Sequence, residues 1–358
     1  MTREVDNNSD NVGREAPAME RRRFLGSMAY GAGAAGLLAS MGISTPVRAQ
    51  AAAGAAPMTA AQAAPLRDVR GKTAYVTASS DGIGLGIARA LSRAGMKVVV
   101  GYRNPERLAK AMPLFDEPNA GVLAIRHDVT DREGWKNLLA EVNDKFGNLH
   151  VLVNNAGVKT LRKASEAPYE EWDNAVAVNF TGIYNGVATC LPHMLEHGEG
   201  AQIVTTASMG GLLPGAQAGV YTATKIAAVG LMEALRVELE GTTVGTSAFC
   251  PGLVNTQNDP TAVLPPGRDG RPSMAAVAMD PLEAGERVLN GILHNDLFIL
   301  THPEFKDGMQ ERYDAIIASV PDEAYPDDRA AAERRVLHAD IYPREIAHRR
   351  QPRKTYRG

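Results

Sequence analysis

The feature that most constrains this chain is a regular alternation: seven short apolar runs, at residues 72–77, 97–101, 122–125, 151–153, 202–206, 244–249 and 297–301, separated by segments of helical periodicity. Runs this short, rich in β-branched residues and apolar throughout, suit strands buried on both faces, and strands joined through helices form parallel βαβ units. The expected fold class is α/β: a doubly wound, mainly parallel seven-stranded sheet with helices on both faces. The longest helical segments cover residues 169–197 and 220–240. With 38 basic against 41 acidic residues, a formal net charge of −3, the chain offers nothing that favours a nucleic-acid partner. A hydrophobic content of 44% and only two cysteines exclude a disordered chain and a disulfide scaffold.

The first run leads into Thr77-Ala78-Ser79-Ser80-Asp81-Gly82-Ile83-Gly84-Leu85-Gly86, with a helix expected over residues 87–93. Glycines at such a turn let the backbone approach a pyrophosphate, and the N–H groups and dipole of the helix start favour its charge. Directly after the first strand, this is the dinucleotide turn of a Rossmann fold. Where the second strand ends, folds of this kind that prefer NAD carry an Asp or Glu for the ribose 2′-hydroxyl. Here the residues are Gly101-Tyr102-Arg103-Asn104, with no carboxylate to repel a 2′-phosphate and an arginine able to pair with it. NADP is therefore expected over NAD.

Tyr221-Thr222-Ala223-Thr224-Lys225 sets a phenol and an ammonium four residues apart, on one face of a helix. A cation near a phenol favours the phenolate and lowers its pKa, which equips Tyr221 to exchange a proton with a substrate oxygen.

The glycine turn resembles that of the short-chain dehydrogenase/reductase family, whose single-domain branch carries Thr-Gly-x-x-x-Gly-x-Gly. Thr77, Gly82 and Gly84 match, while Ala78 stands in place of the first glycine and adds a methyl group to the nucleotide pocket. Asn154-Asn155-Ala156-Gly157 is similar to the family's Asn-Asn-Ala-Gly signature, and Asp128, after the third strand, to the Asp that touches the adenine. Ser208 lies 13 residues before Tyr221, as the family's catalytic serine does. Asn179 resembles its fourth catalytic residue, and Pro251-Gly252 with Thr256 the segment lining the nicotinamide.

The resemblance runs from about residue 72 to residue 256. It implies hydride transfer between NAD(P) and an alcohol or its ketone or aldehyde, with Tyr221 as general acid/base. Lys225 would tune the tyrosine and bond the nicotinamide ribose, Ser208 would hold the substrate oxygen, and Asn179 would anchor a water leading to the lysine. The implied cofactor contacts are Thr77, Ser79, Ser80, Gly82, Ile83, Gly84, Arg103, Asp128 and Val129, then Asn155, Ala156, Gly157, Tyr221 and Lys225, and finally Pro251, Gly252, Val254 and Thr256. A homo-oligomer, dimer or tetramer, is also implied.

Ahead of the domain, Arg21-Arg22-Arg23-Phe24-Leu25 precedes a Gly/Ala/Leu-rich stretch, and Val47-Arg48-Ala49 supplies a small-residue cleavage site. The pattern resembles the twin-arginine export signal of bacteria, whose pathway carries folded proteins. Residues 1–49 are thus expected to be a signal peptide, 50–66 an Ala-rich linker, 67–320 the Rossmann domain and 321–358 a basic C-terminal extension. The apolar stretch carries five glycines over residues 24–43, so no stable membrane insertion is expected after cleavage, and a periplasmic location follows.

His193 and His197, four apart at a helix end, are expected to be solvated rather than to bind metal. Cys190 and Cys250 are expected to be two buried thiols. The tail from Arg329 holds nine basic and three acidic residues and reads as a solvated extension or subunit arm. Residues 210–219 and 257–280, both mainly apolar, are the expected substrate-contacting segments and favour a neutral or hydrophobic small molecule. A non-catalytic NADP-binding sensor or scaffold remains the alternative.

Overall fold

The computed structural model describes residues 64–115, 121–256, 277–324, 326–337, 340–353 and 355. The leader, residues 1–49, lies outside these, as do residues 257–276 of the second substrate segment. Seven strands form one sheet in the order β3-β2-β1-β4-β5-β6-β7. They are β1 (Thr73–Val76), β2 (Lys97–Tyr102), β3 (Val122–Arg126), β4 (Leu149–Asn154), β5 (Ala201–Thr206), β6 (Val244–Cys250) and β7 (Phe298–Leu300). Every neighbouring pair is parallel. The strand order reverses between β1 and β4, which opens a crevice at the carboxyl ends of those strands.

Side chains that alternate along each strand feed two cores. Ala74, Val76, Val98, Val153, Val204 and Phe249 pack against α1 (Gly82–Arg93) and the later helix α7 (Pro281–His294). On the other face Tyr75, Leu152, Ile203 and Ala248 pack with Trp135 of α3 (Arg132–Phe146) and with Met232 of α6 (Gly219–Glu238). The short helix α2 (Pro105–Ala111) follows β2, and Asn104 caps it by accepting the Glu106 and Arg107 N–H groups at 2.8 and 3.2 Å.

Three local features differ from expectation. Helix α1 starts at Gly82 rather than residue 87, so Gly84 and Gly86 lie within it; a Cβ at Gly86 would collide with the Pro281 carbonyl, where α1 and α7 touch backbone to backbone. The helical segment 169–197 is not one helix but α4 (Tyr169–Val176), a π-turn (Ala177–Thr181) and α5 (Gly182–His197). Leu66, assigned to the linker, is buried in the core.

The tail is not a free extension. After α8 (Lys306–Ala318) and α9 (Asp327–Leu337), helix α10 (Ile341–Arg349) docks on the chain's own domain at the entry of β7, the end of the sheet away from the glycine turn. Buried Asp296 accepts from His348 at 3.1 Å, Arg349 at 3.1 Å and Arg353 at 2.8 Å. Glu345 accepts the Leu297 N–H at 3.1 Å.

Candidate active site

The crevice is assembled around Thr77, at the end of β1. Its buried hydroxyl accepts the N–H groups of Asn155 and Ala156, both at 2.8 Å, and donates to the Val153 carbonyl at 3.3 Å. Asn155 answers by donating its Nδ2 to the Thr77 carbonyl at 3.1 Å, while its Oδ1 accepts the Thr206 hydroxyl at 3.2 Å. Ser79, also buried, accepts the Gly101 N–H at 3.1 Å and donates to the Val76 carbonyl at 2.7 Å. Thr77, Ser79 and Asn155 thus hold the glycine turn against β2, β4 and β5 rather than extending their polar groups into the crevice.

The turn itself fits a dinucleotide. A Cβ at Gly84 would collide with the Ala78 carbonyl and Asn155 Nδ2, so only hydrogen lets the α1 start lie this close. Asp81, at the N-cap, makes no capping bond to that first turn. Gly82 faces Thr256, whose Cβ would lie 3.2 Å from an added Cβ, so the segment after β6 closes on the same turn. Ile83 and buried Ser80 belong to it, and Val254 is pinned beside it by a bridge to Met279.

At the adenosine end, Arg103 meets Asp128 at 3.0 Å, which corrects the expectation that no carboxylate stands beside it: the carboxylate comes from the end of β3, across the sheet rather than from β2. Asp128 also accepts from the Thr130 N–H and hydroxyl, and these bonds, the N–H foremost, hold its carboxyl below the usual range. Val129, next to it, is buried against the π-turn helix pair at Gly182.

The four candidate catalytic side chains gather on α6, the π-turn and the end of β5. Ser208 and Tyr221 meet at Gly210, where an added Cβ would stand 3.5 Å from both Ser208 Oγ and Tyr221 Cε1. Ser208 also accepts the Gly210 N–H at 3.0 Å. Lys225 is buried; its Nζ donates to the Thr206 carbonyl at 2.7 Å and lies 5.6 Å from the Tyr221 ring centre. Burial pushes its pKa down to about 8. Burial also raises that of Tyr221, with the Ser208 side chain opposing. The expected lowering of Tyr221 by the lysine is therefore corrected: the ammonium is directed at a backbone carbonyl rather than at the phenol oxygen, and burial prevails.

Asn179, on the π-turn, is fully buried. Its Oδ1 accepts the Val158 N–H at 2.8 Å, and its Nδ2 donates to the Val158 carbonyl at 2.9 Å and to Thr224 Oγ1 at 3.1 Å. It clamps the loop that begins at Gly157, where an added Cβ would stand 3.3 Å from Asn179 Oδ1 and 3.5 Å from Lys225 Nζ. A π-turn adds one residue to a helical turn, which turns Asn179 toward that loop. Pro251 and Gly252 follow β6, and the Gly252 N–H donates to Thr301 Oγ1 at 3.0 Å.

Sequence reasoning missed Thr206 and Thr224. The first acts through its backbone carbonyl, which no residue type announces. Thr224, three residues after Tyr221, donates to the Tyr221 carbonyl at 2.9 Å, and its place between Tyr221 and Lys225 was a signal available in the motif.

Two side features also differ. His193 and His197 are half-buried rather than fully solvated, and they bond the backbone of β4 at Leu149, at 3.2 and 3.0 Å. Cys190 and Cys250 are buried free thiols, as expected.

A family model described as short chain dehydrogenase matches residues 72–263. A C alpha-dehydrogenase of Sphingobium sp. (strain NBRC 103272 / SYK-6) is 30% identical over 277 residues, 73% of this chain and 91% of that protein. A D-beta-hydroxybutyrate dehydrogenase of Rhizobium meliloti is 34% identical over 187 residues, 52% of this chain and 72% of that one. Among solved structures, a short chain dehydrogenase/reductase from Burkholderia phymatum in complex with NAD superposes with a TM-score of 0.64 at 27% identity, covering 73% of this chain and 99% of the other.

Proposed function

The chain belongs to the short-chain dehydrogenase/reductase family and acts on CH–OH groups with NAD(P) as the partner dinucleotide; from this premise we propose that Tyr221 is its general acid/base and that NADP is preferred. The observation that carries the first part is that Ser208 and Tyr221 meet at Gly210, where an added Cβ would stand 3.5 Å from Ser208 Oγ and from Tyr221 Cε1, beside buried Lys225 with its Nζ 5.6 Å from the Tyr221 ring centre. When bound, the nicotinamide supplies or accepts the hydride at the substrate carbon. As the phenol, Tyr221 gives its proton to a carbonyl oxygen in reduction; as the phenolate, it takes the hydroxyl proton of an alcohol in oxidation. Ser208 bonds that oxygen, Lys225 places positive charge at the base of the site, and Asn179 fixes the loop around both.

Arg103 is the cation for a 2′-phosphate, which supports NADP. The apolar segment after Ser208, with Leu212 buried and Leu213 against Gly308, favours a neutral or hydrophobic alcohol or ketone. The test is turnover of a panel of apolar alcohols and ketones with each dinucleotide. NADP-linked turnover is the expected result, and no turnover with either dinucleotide across the panel would favour the sensor or scaffold reading.

We infer further that the twin-arginine pattern exports the protein folded, with its nucleotide already bound. Denaturing the exported form and identifying the released nucleotide by mass tests this: NADP is expected, and empty protein with weak NADP affinity would overturn it. The exposed Trp172, Phe180 and Tyr184 on the α4–α5 segment support a homo-oligomer.

A further inference from the structure

Strand β7 pairs with β6 up to Leu300, opposite Cys250, so the residues that follow the two strands leave the sheet side by side at its carboxyl end. There the Gly252 N–H donates to the buried Thr301 hydroxyl at 3.0 Å, and that hydroxyl meets His302 Nδ1 at 2.6 Å. With Thr301 Oγ1 accepting from Gly252, its own proton finds a partner only in Nδ1. The neutral imidazole then keeps its proton on Nε2, a donor that bonds nothing among the described residues. The half-buried ring lies against Gly252, where an added Cβ would stand 2.6 Å from Nδ1 and 3.0 Å from Cε1, so a side chain at that position would displace it.

The surroundings of that donor are catalytic on one side and apolar on the other. Pro251, one residue before Gly252, accepts the Met209 N–H at 3.0 Å, which ties this corner to the segment that begins at Ser208. Beyond His302, the 3₁₀ turn Pro303–Phe305 and α8 bring Phe305, its ring centre 6.1 Å from that of His302, and Met309 against the same core as Leu213. An added Cβ at Gly308 would stand 3.3 Å from Leu213 Cδ1, so α8 closes on the segment after Ser208. We propose that His302 selects the substrate: its Nε2–H donates to a second, uncharged oxygen of that molecule, an ether, carbonyl or hydroxyl. An apolar spacer, packed on Leu213, Phe305 and Met309, separates this oxygen from the reacting carbon. Exposed Glu304 and Asp307 outnumber Lys306 on the adjoining turn, which disfavours a carboxylate in that place. The proposal rests on the alcohol and ketone reading above and names a feature of its substrate.

The test is reduction by the full chain, with NADPH and with NADH, of methyl heptyl ketone, of its isosteres in which one chain methylene is replaced by an ether oxygen, and of the same ketone ending in a carboxylate. Wild type is compared with His302→Phe and His302→Gln. Both variants lose the Nδ1 acceptor of Thr301, and only Gln keeps a donor near the Nε2 position, so a disturbed fold moves both alike while the ether preference separates them. In wild type at least one ether should exceed the parent ketone about tenfold in kcat/KM; the factor stays modest because a half-buried Nε2–H returns to water when the parent is bound. The gain should lie in KM with kcat held, vanish in His302→Phe and persist in His302→Gln. Should His302→Phe fold poorly, His302→Leu takes its place. Ketone turnover with no ether preferred, or a preference that survives in His302→Phe, overturns the proposal alone. A preference lost equally from His302→Gln assigns it to the Thr301 contact and overturns the proposal too, and a carboxylate-ended ketone preferred over every ether overturns the uncharged class. No reduction of any ketone with either dinucleotide overturns the oxidoreductase reading and this proposal together.

Discussion

Ala78 occupies the left-handed region at φ +50°, on the turn between β1 and α1, where L side chains are strained. Its methyl group is exposed, so nothing in the packing of the turn requires it. The glycine that the family carries here would relieve the strain at a small entropic cost, and Ala78→Gly should raise stability by about 0.5–1 kcal/mol. A denaturation midpoint that falls would contradict this. Four-residue spacing on one helix face singled out Tyr221 and Lys225, and the family resemblance singled out Ser208 and Asn179. What neither could announce was where their polar atoms are directed: Asn179 to the Val158 backbone and Lys225 to the Thr206 carbonyl.

At the level of elements, strand identity was legible because buried parallel strands are short apolar runs, and all seven were located. The ends were less so. Strand β4 starts at Leu149, two residues before the apolar run, because His150 enters the ladder through its side chain. The β1–β4 register shifts between Thr73 and Ala74, and at that irregularity the Thr73 N–H donates to His150 Nδ1 at 3.2 Å. Likewise the Leu149 N–H donates to His193 Nε2 at 3.2 Å, and the Glu199 N–H to His197 Nδ1 at 3.1 Å. Three imidazoles at the end of the sheet away from the glycine turn each accept a backbone N–H, so each must be unprotonated at that nitrogen. Around them stand Glu199, which accepts from His150 at 3.0 Å and from Lys72 at 2.8 Å, and Glu196.

Burial lowers the pKa of His150 and of His193 below the ordinary 6.5; at His150 Glu199 opposes this while Lys72 and His197 add to it, and at His193 His197 adds to it while Glu196 opposes. As pH falls the unfolded chain binds these protons first, so their contribution to stability is full above about 6.5 and is lost below it. His150→Asn keeps an acceptor near the Nδ1 position and cannot titrate, so it should flatten the acid side of a plot of urea midpoint against pH. A wild-type midpoint that does not change between pH 7 and pH 5 would contradict the assignment.

At the scale of the whole molecule, the basic tail shows where composition misleads. Counted as charge it reads as solvated, but α10 buries Ile341 and sets His348, Arg349 and Arg353 around one buried carboxylate. Removing that carboxylate leaves several cations facing one another, and Asp296→Ala should cost about 3 kcal/mol and abolish amide-exchange protection over Ile341–Arg349. Unaltered protection there would show that the apolar contacts alone dock the helix. The tail's anchorage and the glycine turn occupy opposite ends of the sheet, so this variant should leave dinucleotide affinity unchanged. The central claim, that the crevice performs hydride transfer with Tyr221 as its proton carrier, is tested most directly by comparing wild type with Tyr221→Phe in dinucleotide-dependent turnover and dinucleotide affinity. A loss of turnover of about 10²-fold or more with affinity held within about twofold is the predicted result, and a Tyr221→Phe enzyme that turns over like wild type would contradict it.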